Sequence, residues 1–137
     1  MTPSPTFTQA SLLVAGGGAF GSWLRYLTAR LWFNAAGPEA ATAFPWATLT
    51  ANVLGSLAMG LLVGWLARDG AASGESWRLL IGVGLLGGYT TFSSFALEFA
   101  QFIERGALGL AALYVGASLI AGFAALFAGL WLVRGAA

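Results

Sequence analysis

Four long apolar stretches, separated by short polar connectors, make up almost all of this 137-residue chain. They cover about residues 10–33, 46–66, 77–103 and 107–133. Each is long enough to cross a bilayer as a helix, which takes about 20 residues. Because the hydrocarbon interior offers no partners for unpaired backbone groups, we expect helices throughout. The pattern predicts an all-α membrane protein whose residues 1–137 form a single domain of four transmembrane helices.

Small and polar residues recur at helical spacing within two of these stretches. Five residues at every fourth position share one face of the second: Thr48, Asn52, Ser56, Gly60 and Gly64. Such a stripe is typical of a helix–helix interface. The amide of Asn52 goes further, because it brings two donors and an acceptor. Asn52 therefore either bonds a neighbouring helix or faces a pore or a ligand. In the fourth stretch, Tyr114, Ser118 and Gly122 likewise share a face, which indicates a polar neighbour there.

The third stretch is longer than a straight helix needs to cross the hydrocarbon core of a bilayer. Its roughly 27 residues would span about 40 Å as a straight helix, against a hydrocarbon core of about 30 Å. The midpoint is Thr90, and we predict a break between Gly87 and Thr91, at mid-membrane. A break there frees backbone carbonyls, which suit a cation, and starts a half-helix whose positive end suits an anion. A kinked helix whose hydroxyls bond its own carbonyls is the simpler alternative.

Beyond the break, the third stretch carries a polar face and an aromatic face at helical spacing. The polar face contains Thr91, Ser94, Glu98, Gln101 and Arg105. The aromatic face contains Phe92, Phe95, Phe99 and Phe102. The rim of a phenyl ring is weakly positive, and neutral hydroxyl donors can replace the water around an anion without trapping it. Since four helices are few to enclose a pore, we expect a dimer.

Composition narrows the class of protein. The chain is 58% hydrophobic and 8% charged, whereas soluble domains carry about 25% charged residues. It contains neither Cys nor His, which excludes disulfides, thiolate chemistry, the usual zinc and haem sites and histidine proton relays. The net charge of +1 gives no indication of nucleic acid binding. No nucleophile–base pair and no paired carboxylates occur at mid-depth, so we expect a protein that is not an enzyme.

The arginines are balanced between the two ends of the spans. The expected arrangement sets Arg68, Arg78 and Arg134 against Arg30 and Arg105. No positive-inside bias results, which leaves open either a single orientation or insertion both ways with antiparallel pairing. Arg25 lies inside the first span, where an arginine is costly unless it is bound; alternatively, its side chain snorkels toward the interface.

Two functional classes fit these residues. One is a channel for a small anion. The other is a small multidrug-type, proton-coupled exporter of cationic compounds, also built from four spans in an antiparallel dimer. That class uses a carboxylate in its first span, where this chain has neither Asp nor Glu. Glu98 would have to substitute from the third span. A structural or assembly subunit is a weaker third interpretation, because it would not need the polar stripes.

Three runs of residues resemble the Fluc (CrcB) family of fluoride channels, which are small dual-topology membrane proteins. The most specific is Gly87-Gly88-Tyr89-Thr90-Thr91-Phe92-Ser93-Ser94-Phe95. The others are Gly17-Gly18-Ala19-Phe20-Gly21-Ser22-Trp23-Leu24-Arg25-Tyr26 and Thr48-Leu49-Thr50-Ala51-Asn52-Val53-Leu54-Gly55-Ser56. Together with the length and the number of spans, the match covers nearly the whole chain.

The resemblance implies passive fluoride export that protects the cell from fluoride toxicity. It implies a multi-pass protein of the cell inner (plasma) membrane, paired as an antiparallel homodimer with two fluoride pathways. Backbone carbonyls of Gly87 and Thr90 would hold a central structural sodium ion. The implied fluoride pathway contains Asn52, Phe92, Phe95, Tyr114 and Ser118. A polar track of Thr91, Ser94 and Glu98 is implied beside it, with Arg25 at the pore mouth.

The chain departs from the family pattern at three positions. Tyr89 stands where the family commonly has a smaller aliphatic residue, and Ser94 where it commonly has threonine. Gly122 occupies a position where a further hydroxyl is expected. The partner of Tyr89 and the outer part of the polar track are therefore open questions for the structure.

Overall fold

The computed structural model describes residues 4–69 and 74–135, and within these ranges every regular element is helical. The elements are α1 (Phe7–Ala43), α2 (Trp46–Asp69), α3 (Gly74–Trp77), a π-helical stretch (Arg78–Leu86), α4 (Gly87–Tyr89), α5 (Phe92–Glu104) and α6 (Leu108–Arg134). The run from Gly74 to Glu104 is called the third segment below. Residues 1–3, 70–73 and 136–137 of the expected domain lie outside the described residues.

Three elements are long and apolar enough to cross a membrane: Trp46–Arg68, Gly74–Glu104 and Leu108–Arg134. They correspond to the second, third and fourth expected spans, so the all-helical class is confirmed. The first expected span lies within α1, which has 37 residues but is less apolar because it contains a glycine run and Arg25. That α1 crosses the membrane stays a prediction.

The polar connector expected over residues 34–45 is helical for most of its length. Helix α1 continues to Ala43 and is interrupted only at Gly37, whose φ of 80° and ψ of 163° are not helical. Glycine adopts this positive φ without strain because it has no Cβ. Pro38 then begins a short helical stretch, a position where its missing N–H costs nothing. The polar residues after Phe33 therefore show where the apolar region ends, and helical structure continues beyond that point.

The interruption of the third segment is shorter than the predicted 87–91 break. Gly87, Gly88 and Tyr89 remain helical, and only Thr90 (φ −81°, ψ 159°) and Thr91 (φ −153°, ψ 120°) are extended. The π-helical stretch before the break was not predicted. A π-helix changes the ring size of the backbone hydrogen bonds, and side-chain periodicity over nine residues does not reveal that change.

Glycines let α1 lie directly against the third segment. Gly17 and Gly21 are buried, and a Cβ on Gly21 would meet the main-chain oxygen of Leu85. On the opposing side, a Cβ on Gly88 would meet the main-chain oxygen of Gly18. The two backbones therefore touch without intervening side chains, as small residues four positions apart in a membrane helix allow. Helix α2 packs mainly against α6 in a separate contact.

A small aromatic core joins α5 to α6. Tyr114 and Phe102 are fully buried, and Phe44, from the residues between α1 and α2, packs on both. Helix α5 ends at a tight turn in which Gly106 adopts a φ of 69°, again a conformation that suits glycine. This core places the polar face of α5 next to α2 and α6.

The contact between α1 and the third segment through Gly17, Gly21 and Gly88 is called the glycine seam. It predicts opposite effects of alanine at two adjacent positions. In Gly17→Ala, the new Cβ would meet Leu80 O and lie 2.9 Å from Leu85 N. Both are main-chain atoms, so the helices must separate, at a cost of about 1–3 kcal/mol. In Gly16→Ala the Cβ meets nothing within 4 Å, and alanine favours helix by up to about 1 kcal/mol. Thermal unfolding in detergent should show a lower midpoint for the first variant only. Equal midpoints would contradict the seam.

Candidate functional site at the helix break

The break is held from α2 by Asn52. Its Nδ2 donates to Thr91 O at 3.1 Å, and its Oδ1 accepts from Thr91 N at 2.8 Å. Thr91 is 9% exposed, and a buried peptide group without partners would be costly. One carboxamide therefore satisfies both main-chain polar groups of Thr91. The interhelical bond considered from the sequence is present, and Asn52 also lines a groove.

Several carbonyls at the break lose their usual helical donors, and for two of them the bonds that the donors make instead are seen directly. In a continuous α-helix, the N–H of Thr91 would bond Gly87 O and the N–H of Ser94 would bond Thr90 O. Instead, Thr91 N donates to Asn52, and Ser94 N donates to Thr91 Oγ1 at 3.2 Å, which caps α5. The oxygens left without these donors belong to Gly87 and Thr90, the residues expected to hold a cation.

Helix α1 holds the break from the other side through two residues one turn apart. Arg25 Nε donates to Gly88 O at 3.2 Å. Thr28 donates to Leu24 O, so its Oγ1 is available to accept from the Tyr89 hydroxyl at 3.1 Å. The costly arginine in the first span is therefore bound to a freed carbonyl. The side chain of Tyr89, whose partner was open, ties the break to α1.

One side of the break opens into a groove of about 370 Å³, called the first groove. Its lining includes Asn52, Gly87, Thr90, Phe92, Phe95 and Ser118. The ring centroids of Phe92 and Phe95 are 5.7 Å apart, and Phe92 is 80% exposed. The buried Oγ of Ser118 has no hydrogen-bond partner within the described part of the chain. The first groove thus combines phenyl rims, an amide and an unpartnered hydroxyl.

The other side of the break opens into a second groove, of about 410 Å³. Its lining includes Arg25, Thr48, Thr91, Ser94 and Glu98. Each carboxylate oxygen of Glu98 accepts one hydroxyl: Thr48 Oγ1 at 2.7 Å and Tyr114 OH at 2.6 Å. All three expected polar-track residues therefore share one groove with the expected pore-mouth arginine.

Tyr114 is not among the residues that line either groove. It is fully buried, its hydroxyl is bonded to Glu98, and its ring lies 5.1 Å from that of Phe95. Tyr114 therefore contacts one lining residue of each groove, Phe95 in the first and Glu98 in the second. Sequence reasoning missed the roles of Thr48 and Thr28. The α2 stripe contained a signal for Thr48, whereas nothing in the spacing indicated Thr28.

Comparison with known proteins identifies the family of the chain. The family model described as "CrcB-like protein, Camphor Resistance (CrcB)" matches residues 12–130, which include α2 through α5 and both grooves. The chain belongs to the CrcB family. The match confirms the family resemblance drawn from the third-segment motif.

Relatives in the CrcB family are similar over almost their full lengths. A protein of Novosphingobium aromaticivorans is 54% identical over 128 residues, which cover 93% of this chain and 98% of the relative. Proteins of Caulobacter vibrioides and Chelativorans sp. are 50% and 53% identical, each over 90% of this chain and 94% of the relative. All three bear the name "Fluoride-specific ion channel FluC".

The bond between Thr28 and Tyr89 predicts a stability effect. Tyr89→Phe removes this hydrogen bond but keeps the ring, so the free energy of unfolding should fall by about 0.5–1.5 kcal/mol. Tyr26→Phe is the control, because Tyr26 is 58% exposed. Thermal unfolding in detergent measures both. A Tyr89→Phe protein as stable as the control would show that the bond does not hold the break.

Proposed function

We propose that this chain is a fluoride-selective ion channel that exports fluoride passively and protects the cell from fluoride toxicity. The observation that carries the proposal is the identity of 50–54%, over about nine tenths of the chain, to proteins named fluoride-specific ion channels. The two grooves beside the break supply suitable chemistry. Their donors are mostly neutral hydroxyl and amide groups, which can solvate an anion without holding it as a fixed charge would.

The fluoride pathway follows the first groove and includes Tyr114, which lies behind Phe95 and outside the groove lining. Phe92 and Phe95 offer ring rims, and Asn52 and Ser118 offer donors beside them. The unpartnered Ser118 hydroxyl supports this assignment, because a buried polar atom without a partner is costly unless something binds it. Tyr114 acts from behind Phe95 through its bond with Glu98.

The polar track of Thr91, Ser94 and Glu98 lies in the second groove, on the other side of the break. Arg25 acts at the mouth of this groove. Its bond to Gly88 O holds the guanidinium beside the track, where a positive charge attracts anions. Both carboxylate oxygens of Glu98 accept hydroxyls, which disperses the negative charge beside the path.

A structural sodium ion is held at the break by the carbonyls of Gly87 and Thr90. The redirected bonds of Thr91 N and Ser94 N support this, because they leave these oxygens available to a hard cation. No cluster of acidic side chains suitable for a metal occurs among the described residues, so backbone oxygen is the fitting ligand. When bound, the ion neutralises the carbonyl dipoles at the break.

The functional unit is an antiparallel homodimer in the cell inner membrane, with the break at mid-membrane. The first groove is open along one side of a single chain, with Phe92 80% exposed, so a second copy is needed to enclose a path. The balanced arginines at the two ends of the spans support insertion in both orientations.

The multidrug-type exporter of cationic compounds is not favoured. Glu98, the one carboxylate that could bind a cationic substrate within a span, has both oxygens occupied by Thr48 and Tyr114. The relatives compared above are named as channels.

Anion flux from proteoliposomes tests the proposed function. Purified protein should release trapped fluoride rapidly down its gradient, whereas trapped chloride should remain inside. The neutral donors of the grooves can approach a small anion closely, which favours fluoride. Comparable fluoride and chloride release would contradict selectivity. Proton-coupled movement of an organic cation would instead support the exporter.

The two phenylalanine rings of the first groove predict an effect of substitution on fluoride release. Phe92→Ile and Phe95→Ile remove the rings but keep apolar bulk, so fluoride release should fall by about tenfold or more, the effect of losing about 1.4 kcal/mol of ion stabilisation. Size-exclusion chromatography should show an unchanged dimer. Phe20→Ile, on an exposed ring of α1, is the control. Full flux in both site variants would mean that the rings only pack.

A further inference from the structure

The amide of Asn52 faces the first groove, yet it is committed to the backbone of the break. Its two hydrogen bonds, of 2.8 Å and 3.1 Å, take up both the N–H and the C=O of Thr91. This is the pairing that a neighbouring strand would offer to an extended residue, and the extended dihedral angles of Thr91 suit it. To bond both groups, a side chain must carry a donor and an acceptor side by side, and the amide of asparagine does so.

The direction of the Thr91 N–H determines which carbonyl is available. If that N–H returned to its helical position, it would bond Gly87 O and remove one of the two cation ligands. The bond to Asn52 Oδ1 prevents this return. The hydroxyl of the neighbouring Ser56, one turn along α2, donates to the Asn52 main-chain oxygen and makes no hydrogen bond to the third segment among the described residues.

We propose that Asn52 is a positioning residue for the cation site in addition to lining the anion path. By holding the Thr91 peptide, its amide keeps the Gly87 carbonyl free for the ion and thereby couples the two adjoining sites. The inference rests on the proposed cation site. It distinguishes Asn52 from Ser118, which lines the same groove and has no hydrogen bond within the described residues.

Two readouts test the coupling without using fluoride flux. The first is retention of radioactive sodium by the purified full-length dimer after rapid removal of free sodium. The second is hydrogen–deuterium exchange of the Thr91 amide. Both are measured in the unmodified protein and in Asn52→Leu, which keeps the size of the side chain but removes the donor and the acceptor. Asn52→Ser is the second variant, since it removes the amide without adding apolar bulk.

Ser56→Ala and Ser118→Ala are matched controls, because both change a hydroxyl in the first groove without touching the Asn52 amide. We expect both Asn52 variants to lose sodium about tenfold faster or more, and to exchange the Thr91 amide faster by a similar factor. Both serine variants should retain sodium as the unmodified protein does. Size-exclusion chromatography confirms that each protein compared is dimeric.

Three results would overturn the proposal. One is unchanged sodium retention in an Asn52 variant that is still dimeric, since the amide would then not control the cation site. Another is a Thr91 amide that exchanges at an unprotected rate in the unmodified protein, which requires no variant to observe. The third is an unmodified protein that retains no sodium. In that case the cation site fails too, while fluoride release by the same protein tests the channel function separately.

Discussion

Peptide groups released by a broken helix need partners, and an apolar bundle has few to offer. An unpaired N–H or C=O in such surroundings costs several kilocalories per mole, so the break at Thr90 and Thr91 can persist only where other helices supply partners. Two helices do so. Helix α2 supplies Asn52 to the Thr91 peptide, and α1 supplies Arg25 to Gly88 O. Helix α1 can bring Arg25 this near because glycines let its backbone touch that of the third segment.

The same break separates two kinds of chemistry. The first groove is lined by phenyl rings, an amide and the Ser118 hydroxyl. The second groove is lined by hydroxyls and by the Glu98 carboxylate, both of whose oxygens accept a hydrogen bond. Thr91 borders both grooves. A single interruption of the backbone thus presents freed carbonyls and side-chain donors within a few residues of one another. In the proposed channel, adjoining parts of one motif would serve a fixed cation and a mobile anion.

The length of the third stretch and the spacing of its residues predicted where the break lies, but not the interactions that stabilise it. The excess length of the third stretch and its glycines pointed to Thr90. Helical spacing put Thr91, Ser94 and Glu98 on one face, and all three line the second groove. Spacing also placed Asn52 on an interface. The partners of Arg25 and Tyr89, the π-helical stretch and the continuation of α1 to Ala43 were not predictable in this way. Each depends on the register between helices, or on backbone geometry that side-chain polarity does not encode.

The seam between α1 and the third segment constrains how the chain can change over evolutionary time. At Gly17, Gly21 and Gly88, the atoms that an added Cβ would meet belong to the main chain of the opposite helix. Main-chain atoms cannot be made smaller by substitution. A larger residue at one of these positions therefore has no second-site suppressor across the seam, unlike an oversized residue that meets a side chain. A second substitution across the seam therefore cannot restore the space that a larger residue takes up. The helix break next to the seam is restricted in sequence for the same reason.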